Sequence, residues 1–425
     1  MTGHTLLVGC WSALQVLHAD DWPQFRGLNR DAVWNVPGIM QTFPAEGLPV
    51  SWRVPVGFGL ASPVVAEGRV YLVDAELNKP KAQERVRCWD EKTGRPLWSH
   101  AYDVTYPDWA FDASQKAGPN STPILRDGKV WSLGQMSDVF CLDAARGSVV
   151  WHRNLMKDYG TKEFSGTTPS PLIEGELLIL VIGGTDHASV IALDKDTGKE
   201  AWRALDDKWT FSSPIVITSG SQRQLIVWTP DSITSLNPAT GKTWWRQELN
   251  VPGNLATVPT PVFKDDLLLF SGMMLQLDHA KPAARVLWPV KLTGTQRILS
   301  QSSIPIILGD HVFSGKQPGG KLVCLDSRTG KQVWETDKVT NKSQGSTIHL
   351  TPSGDSVLIF TDEGNLIRAR LTPSGYDEIS RVHVIDPQYT FAGRKVVWPP
   401  PAYVNQHIFV RNEMELICAS LAAMP

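Results

Sequence analysis

Beyond its first 19 residues the chain has no run of about 18 continuous apolar residues, so no segment there has the length and apolarity of a membrane-crossing helix. Charge of one sign is not in excess either. The 41 Lys and Arg against 43 Asp and Glu leave a net charge of −2, which disfavours a nucleic-acid partner. Cysteine is scarce, five in 425 residues, with no adjacent pair, no CxxC, no CxxCH and no HExxH, so zinc centres and covalently attached haem have no support. The stretch "VGFGLAS" (56–62) lacks the third glycine and the following helix of a dinucleotide loop and reads as a Gly-rich strand entry. Tyrosine is also rare, at seven residues, whereas tryptophan reaches 17, an imbalance that asks for a structural cause.

The first 19 residues carry an apolar run from Leu6 to Leu17 and a small Ala19 before Asp20, the pattern of a secretory signal peptide cut after Ala19, although no Lys or Arg precedes the run. "LVGC" at 7–10 has the form of a lipobox that would anchor the chain at Cys10. The expectation is an exported protein, periplasmic or extracellular. It divides into the signal peptide 1–19, an N-terminal extension 20–47 and one domain over 48–425.

The tryptophans recur in a frame. "VIALDKDTGKEAW" (190–202) has an Asp, a Gly four residues later and a Trp after eight, and so do "VRCWDEKTGRPLW" (86–98), "VFCLDAARGSVVW" (139–151) and "LVCLDSRTGKQVW" (322–334). "ITSLNPATGKTWW" (233–245) repeats it with Asn for Asp. Two degenerate copies end at Trp288, after a turn two residues longer, and at Ile379 in place of Trp. Successive positions are 43 to 53 residues apart, a period that indicates a propeller or array.

Each frame reads as a hairpin, because strand-like "VIAL" and "EAW" flank a turn in which Asp can bond forward to backbone amides and Gly can take positive φ. Two further strand signals precede each hairpin, as in "ASPVVAEGRVYLVDA" (61–75) and "STPILRDGKVWSLG" (121–134). The unit is therefore a four-stranded antiparallel blade, and such units without helical periodicity arrange radially, leaving only short protected edges. The C-terminal segment lacks a closing Trp strand, whereas "LPVSWRVPV" (48–56) is a Trp strand with nothing before it. Joining the two closes the ring. Trp52, Trp98, Trp151, Trp202, Trp245, Trp288, Trp334 and the Ile379 position then count eight blades, with seven as the alternative if a degenerate copy fails. The fold class expected is an all-β, eight-bladed β-propeller.

A small residue stands two positions before most frame aspartates: Cys88, Cys141, Ala192, Ser235, Cys324, Ala369 and Cys418. The tryptophan of the neighbouring strand is placed to cover it, burying on the order of 150–250 Å² per ring. Four of the five cysteines thus sit at equivalent places in different blades, too far apart to form disulfides.

The frame resembles the tryptophan-docking motif of the pyrroloquinoline-quinone (PQQ) family of β-propellers, and "DWPQFRGLNRDAV" (21–33) resembles the signature that precedes the propeller in secreted bacterial members. The resemblance runs from 21 to 421. It implies one of two classes: quinoprotein dehydrogenases that hold PQQ and Ca²⁺ at the channel mouth and oxidise alcohols or sugars, or binding scaffolds of the BamB type. The dehydrogenase class implies an adjacent Cys-Cys pair and a set of carboxylate ligands. Here the expected channel-mouth residues are mostly small hydroxyls before proline, Ser62, Thr122, Ser170, Ser213 and Thr260, with His349 in blade seven. The reading is a non-catalytic scaffold with no cofactor, PQQ with Ca²⁺ being the alternative. Its partner is a protein or a small-molecule or carbohydrate ligand, and the protein is a monomer.

The spacing swells after blades one and two, and these insertions (101–118 and 155–166) emerge on one face with Tyr102, Tyr106, Trp109, Phe111, Tyr159 and Phe164. Loops of that length suggest either a binding site with exposed aromatic anchors or rings that pack the loops onto the blade tops.

Overall fold

In the computed structural model each copy of the frame is a hairpin whose turn is tied by its own side chains. Residues 20–423 are described, apart from 113–116, 162–167, 250–257, 271, 289–298, 301, 317–318 and 342–344. In the third copy, strand Val190–Asp194 pairs with Glu200–Ala204 and sets Ala192 opposite Trp202. The Asp194 carboxylate accepts from the Thr197 amide at 2.8 Å and the Thr197 hydroxyl at 2.7 Å, and the Gly198 amide donates to the Asp194 carbonyl at 2.9 Å. The same three bonds recur at Asp90-Thr93-Gly94 and Asp326-Thr329-Gly330.

Each hairpin forms the outer half of a four-stranded antiparallel sheet, and eight such sheets make the ring. Lettering the strands A to D outward, blade one spans 64–104, and the following blades span 124–154, 172–204, 215–248, 262–288, 306–336 and 348–383. Blade eight takes strands A to C from 402–420 and strand D from Val50–Pro55, where Trp52 pairs with Cys418. The ring is closed by the N-terminal strand, as the unpaired Trp strand at 48–56 requires. One element escapes the frame: Tyr389–Phe391 and Arg394–Val396 form a separate two-stranded hairpin before blade eight.

The tryptophans join neighbouring blades. The Trp52, Trp98, Trp151, Trp202 and Trp288 indole N–H groups donate to the carbonyls of Glu91, Ala144, Lys195, Pro238 and Ser327, at 2.8, 3.0, 2.9, 3.1 and 2.8 Å. Each accepting carbonyl lies one residue beyond the frame Asp or Asn of the next blade. The ring of each also packs on that turn's glycine: an added Cβ would lie 2.5 Å from Trp202 at Gly241 and 2.5 Å from Trp98 at Gly147. Gly241 has φ +70, so its turn and the approach of the ring both require glycine.

Trp245 departs from this pattern. The next turn (278–283) is the long one without a glycine, and the Trp245 indole donates instead to Gln224 of its own blade at 2.8 Å. Trp288 lies opposite Met274 because of the same longer turn, and Ala369 lies opposite Glu378, next to the Ile379 expected there. Cys88, Cys141, Cys324 and Cys418 are buried free thiols in different blades. Cys10 lies outside the described residues.

Strand order fixes two faces of the ring. A–B and C–D turns share one end, here the hairpin face, while B–C turns and the links between blades share the other, the link face. The N-terminal extension lies across the central channel from the hairpin face. Trp22 pairs with Val65 of blade one, the Pro23 carbonyl accepts from Leu125 of blade two, Arg30 donates to the Pro171 carbonyl of blade three, and Trp34 bonds Pro352 of blade seven. Trp34 stacks on Tyr403 at 5.3 Å and Trp22 meets the same ring edge-on at 5.8 Å, so both tryptophans are buried at 3% exposure.

Candidate functional site: the link face

Blade one is taller than the others. Its strands Arg69–Asn78, Lys81–Asp90 and Pro96–Val104 continue past the inner strand Val64–Ala66 and rise as a three-stranded ridge on the link face. Alternation along the ridge places one carboxylate on each side of it. Asp74 is fully buried, accepting from Arg85 at 2.7 and 3.0 Å, Arg87 at 3.2 Å and the Gly57 amide at 2.7 Å. Burial works to raise its pKa, but the bonds and charge of Arg85, with Gly57 and Arg87, outweigh it and hold the carboxyl below its usual range.

Glu84 faces the opposite way and, among the described residues, forms no ion pair. It accepts from the Tyr102 hydroxyl at 2.7 Å, the Tyr106 hydroxyl at 2.8 Å and the Gln135 amide at 3.1 Å. Burial dominates here and pushes Glu84 up to about 7, against the lowering effect of those hydrogen bonds.

Two of the expected aromatic anchors therefore hold the first insertion down. Tyr106 is 4% exposed and packs with Ala82, Ala110 and Phe111, while Tyr102 is partly buried beside Phe140 at 4.6 Å. Tyr159, at the end of the helical turn Leu155–Tyr159, is 5% exposed and donates to Glu200 at 2.8 Å. The expectation of an exposed aromatic patch is corrected for these residues: each hydroxyl reaches a carboxylate below the loop, and the ring follows it inward. Trp109 is different, at 46% exposure. Phe164 lies outside the described residues.

On the far side of the ridge, toward blade eight, an open groove of about 550 Å³ runs between Phe58, Glu76 and Leu77 on one wall and Tyr389, Lys395 and Met414 on the other. The Phe58 and Tyr389 rings approach each other across it at 5.9 Å, and Met414 is 62% exposed. The hairpin 389–396 that builds this wall carries no mark of the repeat, which is why the groove was not foreseen. The link face thus presents a ridge with an exposed indole on one flank and an exposed thioether on the other.

The hydroxyls expected at the channel mouth have another role. Ser62, Thr122, Ser170, Ser213 and Thr260 are all 2–4% exposed. The Ser62 amide donates to the Thr122 hydroxyl at 3.1 Å, the Thr122 amide to the Ser170 hydroxyl at 3.1 Å, and the Ser170 amide to the Ser213 hydroxyl at 2.9 Å. The Thr122, Ser170 and Ser213 hydroxyls are rivets between inner strands, not an open lining, because the entrance to each inner strand abuts the next. His349 is half-buried, bonded to the Trp398 carbonyl at 2.8 Å, and its pKa is pushed down to about 4 by desolvation.

Among the described residues no group of three His, Cys, Asp or Glu converges. The buried link-face carboxylates are each held within their own surroundings: Asp207 by Arg246, Thr229 and Ser232, and Asp362 by Arg394 and Thr340, as Asp74 and Glu84 are above.

The profile of the family described as outer membrane protein assembly factor BamB matches residues 45–187 and 186–383. Among individual proteins, the chain is 25% identical over 253 residues to an outer membrane protein assembly factor BamB of Moranella endobia, covering 56% of this chain and 63% of that protein's length. It is 26% identical over 195 residues to the quinoprotein alcohol dehydrogenase PedH of Pseudomonas putida, covering 42% of this chain and 29% of the dehydrogenase. The crystal structure of BamB from Moraxella catarrhalis superposes with a TM-score of 0.59 at 16% identity, over 88% of this chain and 99% of that one. The quinohemoprotein alcohol dehydrogenase from Comamonas testosteroni gives 0.65 at 14% identity, over 96% and 81%. Both show the same fold. With the family profile covering most of the chain and eight four-stranded blades closing the ring, this protein belongs to the outer membrane protein assembly factor BamB family of PQQ-like β-propellers.

Proposed function

We propose that this protein is an exported, non-catalytic scaffold that binds a protein partner through its link face. The observation that carries the reading is the link face around the ridge of blade one, where Trp109, on the insertion after that blade, is 46% exposed and Met414, on the neighbouring turn of blade eight, is 62% exposed at the wall of a groove of about 550 Å³. Large exposed apolar side chains around a concave surface are the usual material of an interaction site. Export is supported by the apolar run at 6–17 and by relatives named for outer membrane protein assembly. The test is capture of partners from an envelope extract with the wild type, Trp109→Ala and Met414→Glu. Loss of one common partner from both variants, at unchanged melting temperature, is the expected result; identical partner sets from all three would overturn the reading.

Similarity to PedH keeps a quinoprotein dehydrogenase as the second reading. It predicts saturable heat on titration with PQQ and Ca²⁺ and dye-coupled oxidation of an alcohol or sugar. The scaffold reading predicts neither.

A further inference from the structure

The N-terminal extension carries two guanidinium groups into the centre of the ring without a carboxylate to meet them. Arg26 is 6% exposed and Arg30 7%. Arg30 is held by carbonyl oxygens, Pro171 at 2.7 Å and Ser170 at 3.4 Å, and by the Gln24 amide oxygen at 3.3 Å. Arg26 donates to the Asp31 carbonyl at 3.2 Å, while the Asp31 side chain belongs to an exposed residue and instead accepts from the Val33 amide. Among the described residues neither arginine forms an ion pair. Burial lowers both, Arg26 to about 10 and Arg30 to about 9; the Asp31 charge only partly offsets it at Arg26, and the Arg26 charge adds to the effect on Arg30. A buried cation without a counter-charge is among the most costly arrangements a core can contain.

Arg26 lines a cavity of about 30 Å³ in the channel, together with Trp22, Ser62, His349 and Pro400. Three of these occupy the same place in successive blades, four residues before the end of the inner strand: His349 in blade seven, Pro400 in blade eight and Ser62 in blade one. At this place in blades two and three, and two residues before the inner strand of blade four, the hydroxyls of Thr122, Ser170 and Ser213 accept an amide from the blade before. The residue before Ser62 in that series is Pro400, which has no N–H to give. The Ser62 hydroxyl is accordingly buried at 2% exposure with no hydrogen-bond partner. His349 uses Nε2 on the Trp398 carbonyl and stays uncharged at neutral pH, so it supplies no competing positive charge and no negative one.

We propose that this cavity is a binding site for one small monovalent anion, chloride being the size that fits, held by the Arg26 guanidinium and the orphaned Ser62 hydroxyl. The anion neutralises the buried charge and locks the N-terminal extension into the channel. The ligand is thus part of the fold, separate from any partner on the link face.

Two measurements on the full-length protein test this. Crystals soaked in bromide should show one anomalous peak in the cavity, and the melting temperature should rise by about 1–2 °C per tenfold increase in chloride above its dissociation constant, at ionic strength fixed with gluconate. Arg26→Gln should abolish the chloride response. Should that variant fail to fold, Ser62→Ala, which removes only the hydroxyl, should shift the response to higher chloride. A cavity holding water only, with no bromide signal and one chloride response common to wild type and Ser62→Ala, would overturn the proposal.

Discussion

Truncating Trp202 tests how far the repeated frame holds the ring together. Its side chain is 8% exposed, its indole donates to the Pro238 carbonyl at 3.1 Å, and its ring lies where a Cβ on Gly241 would be 2.5 Å away. A ring of this kind buries about 150–250 Å², worth about 4–6 kcal/mol at about 25 cal/mol per Å², and the hydrogen bond adds about 1 kcal/mol. Partial collapse of the cavity returns some of this, so Trp202→Ala should cost about 3–5 kcal/mol. Gly241→Ala attacks the same contact from the other side. It places a side chain at φ +70, which costs about 1–2 kcal/mol by itself, and displaces the indole besides. With the ring already gone, only the backbone strain should remain, so the double variant should be about 1–2 kcal/mol more stable than the sum of the single losses predicts. Urea unfolding of the four proteins, followed by far-ultraviolet circular dichroism, measures all three quantities. A loss under about 1 kcal/mol for Trp202→Ala, or additive losses within about 0.5 kcal/mol, would refute the contact as the seam between blades three and four.

Glu84 sets a pH dependence. Its folded-state pKa is raised from 4.5 to about 7, so the folded protein binds a proton more tightly than the unfolded chain. Its contribution to stability is therefore greatest below pH 4.5 and declines as pH rises toward 7, by about 3 kcal/mol in all. Glu84→Gln should flatten the fall in melting temperature between pH 5 and 8, and an unchanged profile would remove Glu84 as its cause. Tyr106→Phe, which takes one donor from that carboxylate, should lower stability by about 1–3 kcal/mol, whereas Trp109→Ala on the same loop should stay within about 0.5 kcal/mol; thermal unfolding of the pair distinguishes ring from anchor. Burial pushes the Cys88, Cys141 and Cys418 thiols up to about 12 and Cys324 to about 11. None of the four should react with a thiol reagent at pH 8 until the ring is unfolded, and mass spectrometry after timed labelling reads this directly.

The seams were legible because they repeat. An Asp or Asn, a Gly and a Trp at one spacing, read five times, specify a hairpin, its turn and the ring that covers the next turn, and even the failure at Trp245 follows from the longer turn at 278–283. What happens once in the chain has no such signal. The hairpin at 389–396, which makes one wall of the groove, lies outside the period, and so do the extra residues that lift the ridge of blade one. Exposure of the aromatics could not be inferred from loop length, because Tyr106 and Tyr159 turn inward only where a carboxylate waits for the hydroxyl.

The inner strands show what a broken repeat can mean. Hydroxyls before proline at 62, 122, 170 and 213 look interchangeable in sequence, and three of them are, each accepting an amide from the preceding blade. Ser62 differs only because the ring is closed: the blade before it in space is the last in the chain, and there the equivalent residue is Pro400. A proline some 340 positions away thus leaves one hydroxyl without a donor, beside a buried arginine delivered by the N-terminal extension. Both departures from the repeat fall at the junction where the chain's two ends meet, which is where a ring built of near-identical units has room for a feature that none of the units contains.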